Sequence, residues 1–146
     1  MNAPMTELES QVLSLLVAGD HPDLALLRQQ AAHAVVVTRK YTGVGFFTKL
    51  AVDPVQPSAD NLGTRNIHDV YAQLTGLDHE AGFILWIERG VIDCLESWIV
   101  DSAWPAAPQL VRAYYARPAP RRPGGGDIVF SDTRDLAWAL RDPRAA

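Results

Sequence analysis

Cysteine is nearly absent from this chain. Cys94 stands alone among 146 residues, so no internal disulfide can form, and a reducing, cytoplasmic compartment is the natural expectation. Long apolar runs are missing too. No stretch of about 18 apolar residues occurs, so no transmembrane helix is expected. Residues 1–9 carry Glu7 and Glu9 but no Lys or Arg, which is the wrong charge for a secretory signal peptide. A basic stripe is also lacking. The net charge is −4, and the one basic cluster, Arg117, Arg121 and Arg122, falls in a Pro/Gly-rich stretch that reads as a solvated linker. Neither nucleic acid nor an anionic membrane is therefore expected as a partner.

Signatures of catalysis are absent as well. There is no Gly-x-Ser-x-Gly elbow, no two-cysteine metal knuckle and no His-Glu-x-x-His segment. The glycines of Thr42-Gly43-Val44-Gly45 precede a strand pattern and lack a following Lys-Ser/Thr pair, so they do not form a phosphate loop. Gly124-Gly125-Gly126 also lacks the lysine. These are turn and linker glycines, no cofactor is expected, and no residue is assigned a catalytic role.

What remains is a globular pattern. Apolar residues make up 48% and charged residues 21% of the chain, enough for one domain with its own core. Thr6 and Glu9 form a capping-box pattern, and Leu8, Val12, Leu15 and Leu16 follow on one helical face. Gly19 predicts the helix end. A second helix is expected from Asp20 as N-cap, with Pro22 in its first turn and Leu24, Leu27 and Ala31 as its stripe. The two make a helical hairpin.

Residues 33–52 predict a β-hairpin about Thr42-Gly43, with Tyr41 facing Val44 and Arg39 facing Phe46. Residues 53–65 read as a loop. Ile67, Val70, Tyr71 and Leu74 have helical spacing, with Asn66 as cap and Asp69 in the first turn. Residues 81–100 predict the strongest hairpin, turning at Arg89-Gly90. That register puts Phe83, Leu85, Ile87, Ile92, Cys94, Glu96 and Trp98 on one face, which is taken as the core face. Residues 110–116 supply a further strand, 117–126 a linker, and 127–146 an arm of one strand and a short helix.

Several residues invite chemistry. Glu96 is a carboxylate on an otherwise apolar face, where burial would raise its pKa as a general acid requires. At the sheet end it could equally reach water or a backbone donor. Trp98, Asp101 and Trp104 follow closely, a spacing that suits a ligand pocket, an interface anchor or simple closure of the core. Tyr114 completes a candidate pocket with Glu96 and Trp98. His68-Asp69 and His79-Glu80 lack any recognised metal-ligand spacing, so no metal is expected. His21 and His33 are accounted for by helix ends. Cys94, on the face taken as core, reads as an inert buried thiol.

Three segments occur in order: Gly-Asp-His-Pro at 19–22, Thr-Gly-Val-Gly-Phe-Phe-Thr at 42–48, and Ile-Asp-Cys-Leu-Glu-Ser-Trp with Asp-Ser-Ala-Trp-Pro within 92–105. Together they resemble a group of small, uncharacterised bacterial proteins with a glycine-containing hairpin and a Leu-Glu-x-Trp…Trp-Pro segment. The resemblance spans roughly residues 7–115. It implies a bacterial, intracellular, single-domain protein and brings no catalytic residue with it.

The expected fold is α+β: an antiparallel sheet of four to five strands, two hairpins plus a further strand, packed by the N-terminal helical hairpin. Residues 1–116 form the domain. The expected function is a protein-interaction module, of the immunity-like (toxin-neutralising) or regulatory type. The alternatives are a small-ligand-binding domain at Glu96, Trp98 and Tyr114, or an enzyme using Glu96 or His79 as acid or base. A half-apolar second sheet face also makes a homodimer a candidate.

Overall fold

The computed structural model describes residues 4–119 and 127–142. Two helices come first, α1 (Glu7–Leu16) and α2 (Pro22–Ala31). Seven strands follow: β1 (Ala34–Tyr41), β2 (Gly45–Val52), β3 (Arg65–Leu74), β4 (Ala81–Glu88), β5 (Val91–Trp98), β6 (Leu110–Pro118) and β7 (Ile128–Ser131). A one-turn helix α3 (Leu136–Ala139) ends the described chain. The strands form one sheet in the order β1-β2-β5-β4-β3-β6-β7, antiparallel at every pairing.

This corrects the expectation of four to five strands. The two extra strands are β3 and β7. Residues 66–74 form β3 rather than a helix, and the reason is a β-bulge. Ile67 lies opposite Leu85 and Val70 opposite Phe83, with His68 and Asp69 between them. Two residues on one strand thus lie opposite the single residue Ile84 on the other. Apolar side chains fall at i, i+3, i+4 and i+7, the spacing of a helix stripe. Asp69 caps nothing; it is buried beneath the bulge.

Nor do α1 and α2 form the helical hairpin expected at the N-terminus. α1 lies against β3 and β4, and α2 against β5. The α1 N-terminus carries the reciprocal capping box: the Glu9 N–H donates to Thr6 Oγ1 at 3.1 Å, and the Thr6 N–H donates to the Glu9 carboxylate at 2.8 Å. At α2 the cap is His21, not Asp20; its Nδ1 accepts from the Asp23 N–H at 3.1 Å.

Val12, Leu16, Leu24 and Leu27 from the helices meet Ile67, Phe83, Leu85, Ile87, Ile92 and Leu95 from the sheet, all essentially inaccessible. Gln30 is the polar pin of this core. Its Nε2 donates to the carbonyls of Pro57 and Gly90, both at 2.9 Å, and its Oε1 accepts from the Ile92 N–H at 2.9 Å. One fully buried amide thus ties α2 to the 53–64 loop and to the β4–β5 turn.

The chain after residue 127 returns to the sheet. β7 pairs with β6, and α3 packs against β3 and β6. Arg134 secures it. Its guanidinium makes two bonds to Asp69, at 2.9 and 2.8 Å, and Nη1 donates to the Leu15 and Ala18 carbonyls at 3.2 and 2.7 Å. A cation thus satisfies the carbonyl end of α1 and a buried carboxylate together. Most of the expected 117–126 linker, residues 120–126 with Arg121 and Arg122, lies outside the described residues.

Candidate functional site: the open face of the sheet

Which side chains face away from the helices is decided in β5. The β4–β5 turn is a two-residue loop as expected, with Arg89 and Gly90 both at positive φ. Ile87 duly faces Ile92. The register then shifts: Trp86 faces Cys94, Leu85 faces Leu95 and Phe83 faces Ser97. Asp93 is the inserted residue. One extra residue sends every later side chain to the opposite face. Cys94, Glu96 and Trp98 therefore point away from the core, and the core face assigned to them from sequence is corrected.

The first hairpin is shifted too. Residues 42–44 form the connection, the Thr42 N–H donates to the Gly45 carbonyl at 3.0 Å, and Tyr41 faces Phe46. Arg39 faces Thr48 rather than Phe46.

These registers lay a row across five strands on the open face: Gly45, Trp98, Gly82, Tyr71 and Tyr114. Both glycines are required by β5, Gly82 by the Trp98 indole and Gly45 by the Ser97 backbone. A Cβ on Gly82 would fall 2.5 Å from the indole, and one on Gly45 would overlap the Ser97 carbonyl. The indole thus lies flat on Gly82, edge-on to Tyr71 with ring centres 6.1 Å apart at 87°. Phe130 from β7 continues the row, 5.0 Å from Tyr71 and stacked on Tyr114 at 5.8 Å. The Arg112 guanidinium covers Tyr114 at 4.9 Å.

A second row runs Phe47, Glu96, Ile84, and a third runs Lys49, Cys94, Trp86, Asn66. Trp86 is 40% exposed and Phe47 41%. The Glu96 carboxylate accepts from the Trp86 indole N–H at 3.0 Å, and Lys49 pairs with Asp93. Burial and the adjacent Asp93 and Glu96 carboxylates push the Cys94 thiol up to about 11, so at neutral pH it is protonated and a poor nucleophile.

Of the five candidate residues, Glu96, Trp98 and Tyr114 come together on this face. The other two do not join them. Asp101 is exposed in the β5–β6 connection at positive φ. Trp104 packs on the helix side, its ring edge-on to Phe46 at 5.4 Å. The small-ligand expectation needed a concave pocket at Glu96, Trp98 and Tyr114, but they lie on the face of a sheet. A cleft of about 520 Å³ opens elsewhere, between the start of α1, the β1–β2 hairpin and residues 104–110. The hydrogen-bonded partner of Glu96 is an indole, not a second titratable group. His79 is exposed in the β3–β4 loop, and among the described residues no three His, Cys, Asp or Glu side chains are grouped to hold a metal.

Sequence reasoning missed Tyr71, Trp86 and Phe130 as members of one surface. A signal existed for part of it: Gly82 and Gly45 sit in strand patterns, where glycine marks a close approach. Among the described residues no helix is long and apolar enough to cross a membrane. Comparison with protein-family models, with curated proteins and with solved structures finds no match to this chain.

Proposed function

We propose that this chain is a protein-interaction module, of the toxin-neutralising or regulatory kind, that docks a different polypeptide on the open face of its sheet. The observation that carries this reading is the aromatic row. Trp98, Tyr71, Phe130 and Tyr114 interlock on the face turned away from α1 and α2, with Trp86 and Phe47 exposed beside them. Aromatic anchors with a few oriented polar groups are the composition of interface centres. The Trp98 indole is already seated on Gly82 and edge-on to Tyr71 in the free protein, so little ordering remains for binding.

The occupant is a second protein rather than a second copy. Each chain carries a net charge of −4, so two copies repel, whereas a basic partner is attracted and steered. A homodimer through this face is the competing outcome.

The test starts by capturing a partner on the tagged chain from its host and identifying it by mass spectrometry. The purified pair is then titrated calorimetrically. Trp86→Ala is expected to weaken binding at least about tenfold, the effect of losing an anchor worth over 1.4 kcal/mol. Tyr41→Ala, on the other side of the sheet, should leave it unchanged. Equal affinities for wild type and Trp86→Ala would refute the assignment. A dimer that Trp86→Ala dissociates would replace the second protein with a second copy.

A further inference from the structure

The cleft on the helix side is chemically unlike the open face. Its floor is a fixed charge network. Arg39 Nε and Nη2 donate to the two Glu9 oxygens at 2.9 and 2.6 Å, and Thr48 Oγ1 also donates to Glu9. The Thr6 N–H supplies a fourth bond to the same carboxylate. Burial alone would raise the Glu9 carboxyl, but the bonds from Arg39, Thr48 and Thr6 outweigh it and hold it below its usual range. Glu9 is therefore ionised, and the Arg39 charge is spent on it.

The walls are aromatic. Tyr41 and Trp104 both meet Phe46 edge-on, at 6.4 and 5.4 Å. Glu7 stands exposed at the rim. With Arg39 neutralised by Glu9, Glu7 leaves the lining with one net negative charge. A volume of about 520 Å³ is within the range of pockets that hold small organic ligands.

We propose that this cleft is a binding site for a small organic cation, an ammonium group carried on an apolar or aromatic body. The apolar body would pack among Tyr41, Phe46 and Trp104, whose aromatic character also favours a positive charge close by. The ammonium would turn toward Glu7. A carboxylate ligand would meet Glu7 and a guanidinium already bound twice over, so anions are disfavoured. The site is independent of the open face and does not rest on the docking reading.

The probes are phenethylamine and phenylacetate, which share a body and differ in charge. Each is titrated into the full chain and followed by amide and indole NMR signals. Phenethylamine is expected to shift Glu7, Tyr41 and the Trp104 indole N–H saturably, and phenylacetate to bind at least about fivefold more weakly. Glu7→Gln and Tyr41→Ala, both at exposed positions that should fold normally, are each expected to weaken phenethylamine about two- to fivefold. Lysine amide, added as a third probe, should bind more weakly than phenethylamine for want of the ring. Three results would overturn the site: no saturable shift with the amine, equal binding of amine and acid, or shifts confined to the open face.

Discussion

Leu85 and Trp86 are adjacent in β4 and live in different surroundings. Leu85 is fully buried, whereas Trp86 is 40% exposed. The contrast holds across the sheet. The centre of the face under the helices is mainly aliphatic, built from Ile67, Leu85, Ile87, Ile92 and Leu95 around Phe83, with no buried side-chain polar atom left unbonded among the described residues. The other face is aromatic, built from Trp98, Tyr71, Phe130 and Tyr114, with Trp86 and Phe47 left to solvent. Close-packed aliphatic side chains make a stable core. Rigid rings with polar edges make a surface that can meet another molecule. The lesson is a division of labour: the core under the helices should govern stability, the open face the docking of a partner protein.

The largest effect expected on the covered side comes from Arg134. Arg134→Ala strands Asp69, which is 1% exposed, without its cation. Breaking one side of such a pair costs about 3–5 kcal/mol, to be read from urea unfolding at unchanged m-value. Leu85→Ala should follow, losing about 2–5 kcal/mol through lost burial and a cavity. Glu9→Gln removes hydrogen bonds to a charged group and should cost about 1.5–3 kcal/mol at pH 7.

Glu9 also fixes a pH dependence. Its folded pKa lies below the ordinary 4.5, so the unfolded chain binds its proton more readily. The stability it supplies is full above about 4.5 and is lost as the pH falls through the folded value. Unfolding curves at a series of acid pH values should show this loss in the wild type and a shallower one in Glu9→Gln. Trp86→Ala should be the mildest change, under about 1 kcal/mol, although Trp86 is the next residue after Leu85 in β4. A destabilisation by Trp86→Ala as large as that by Leu85→Ala would break the contrast.

Parts of this were legible in the sequence because they are local. The capping box at Thr6 and Glu9 is complete within four residues. The Arg89-Gly90 turn is fixed by the strands that flank it and by two positive φ angles. The faces were not legible, and the cause is the same in β3 and β5. A bulge leaves no mark on composition, but it changes the period of the pattern. At His68-Asp69 it turned an alternating strand into an apparent helix stripe. At Asp93 it inverted the facing of Cys94, Glu96 and Trp98. Glu96 thus looked like a carboxylate buried in the core, when it accepts an indole hydrogen bond on the open face. Arg134 and Asp69 are 65 residues apart, and nothing local announces such a pairing. The candidate residues chosen by proximity in sequence were divided by the fold: Trp98 and Trp104 end on opposite sides of the sheet.

The most direct test of the division is cross-saturation NMR on the labelled chain bound to its unlabelled, captured partner. Intensity is expected to be lost at Trp86, Glu96, Trp98, Tyr71 and Phe130, with α1 and α2 unaffected. Loss confined to the helices, or to Tyr41 and Trp104 in the cleft, would contradict it.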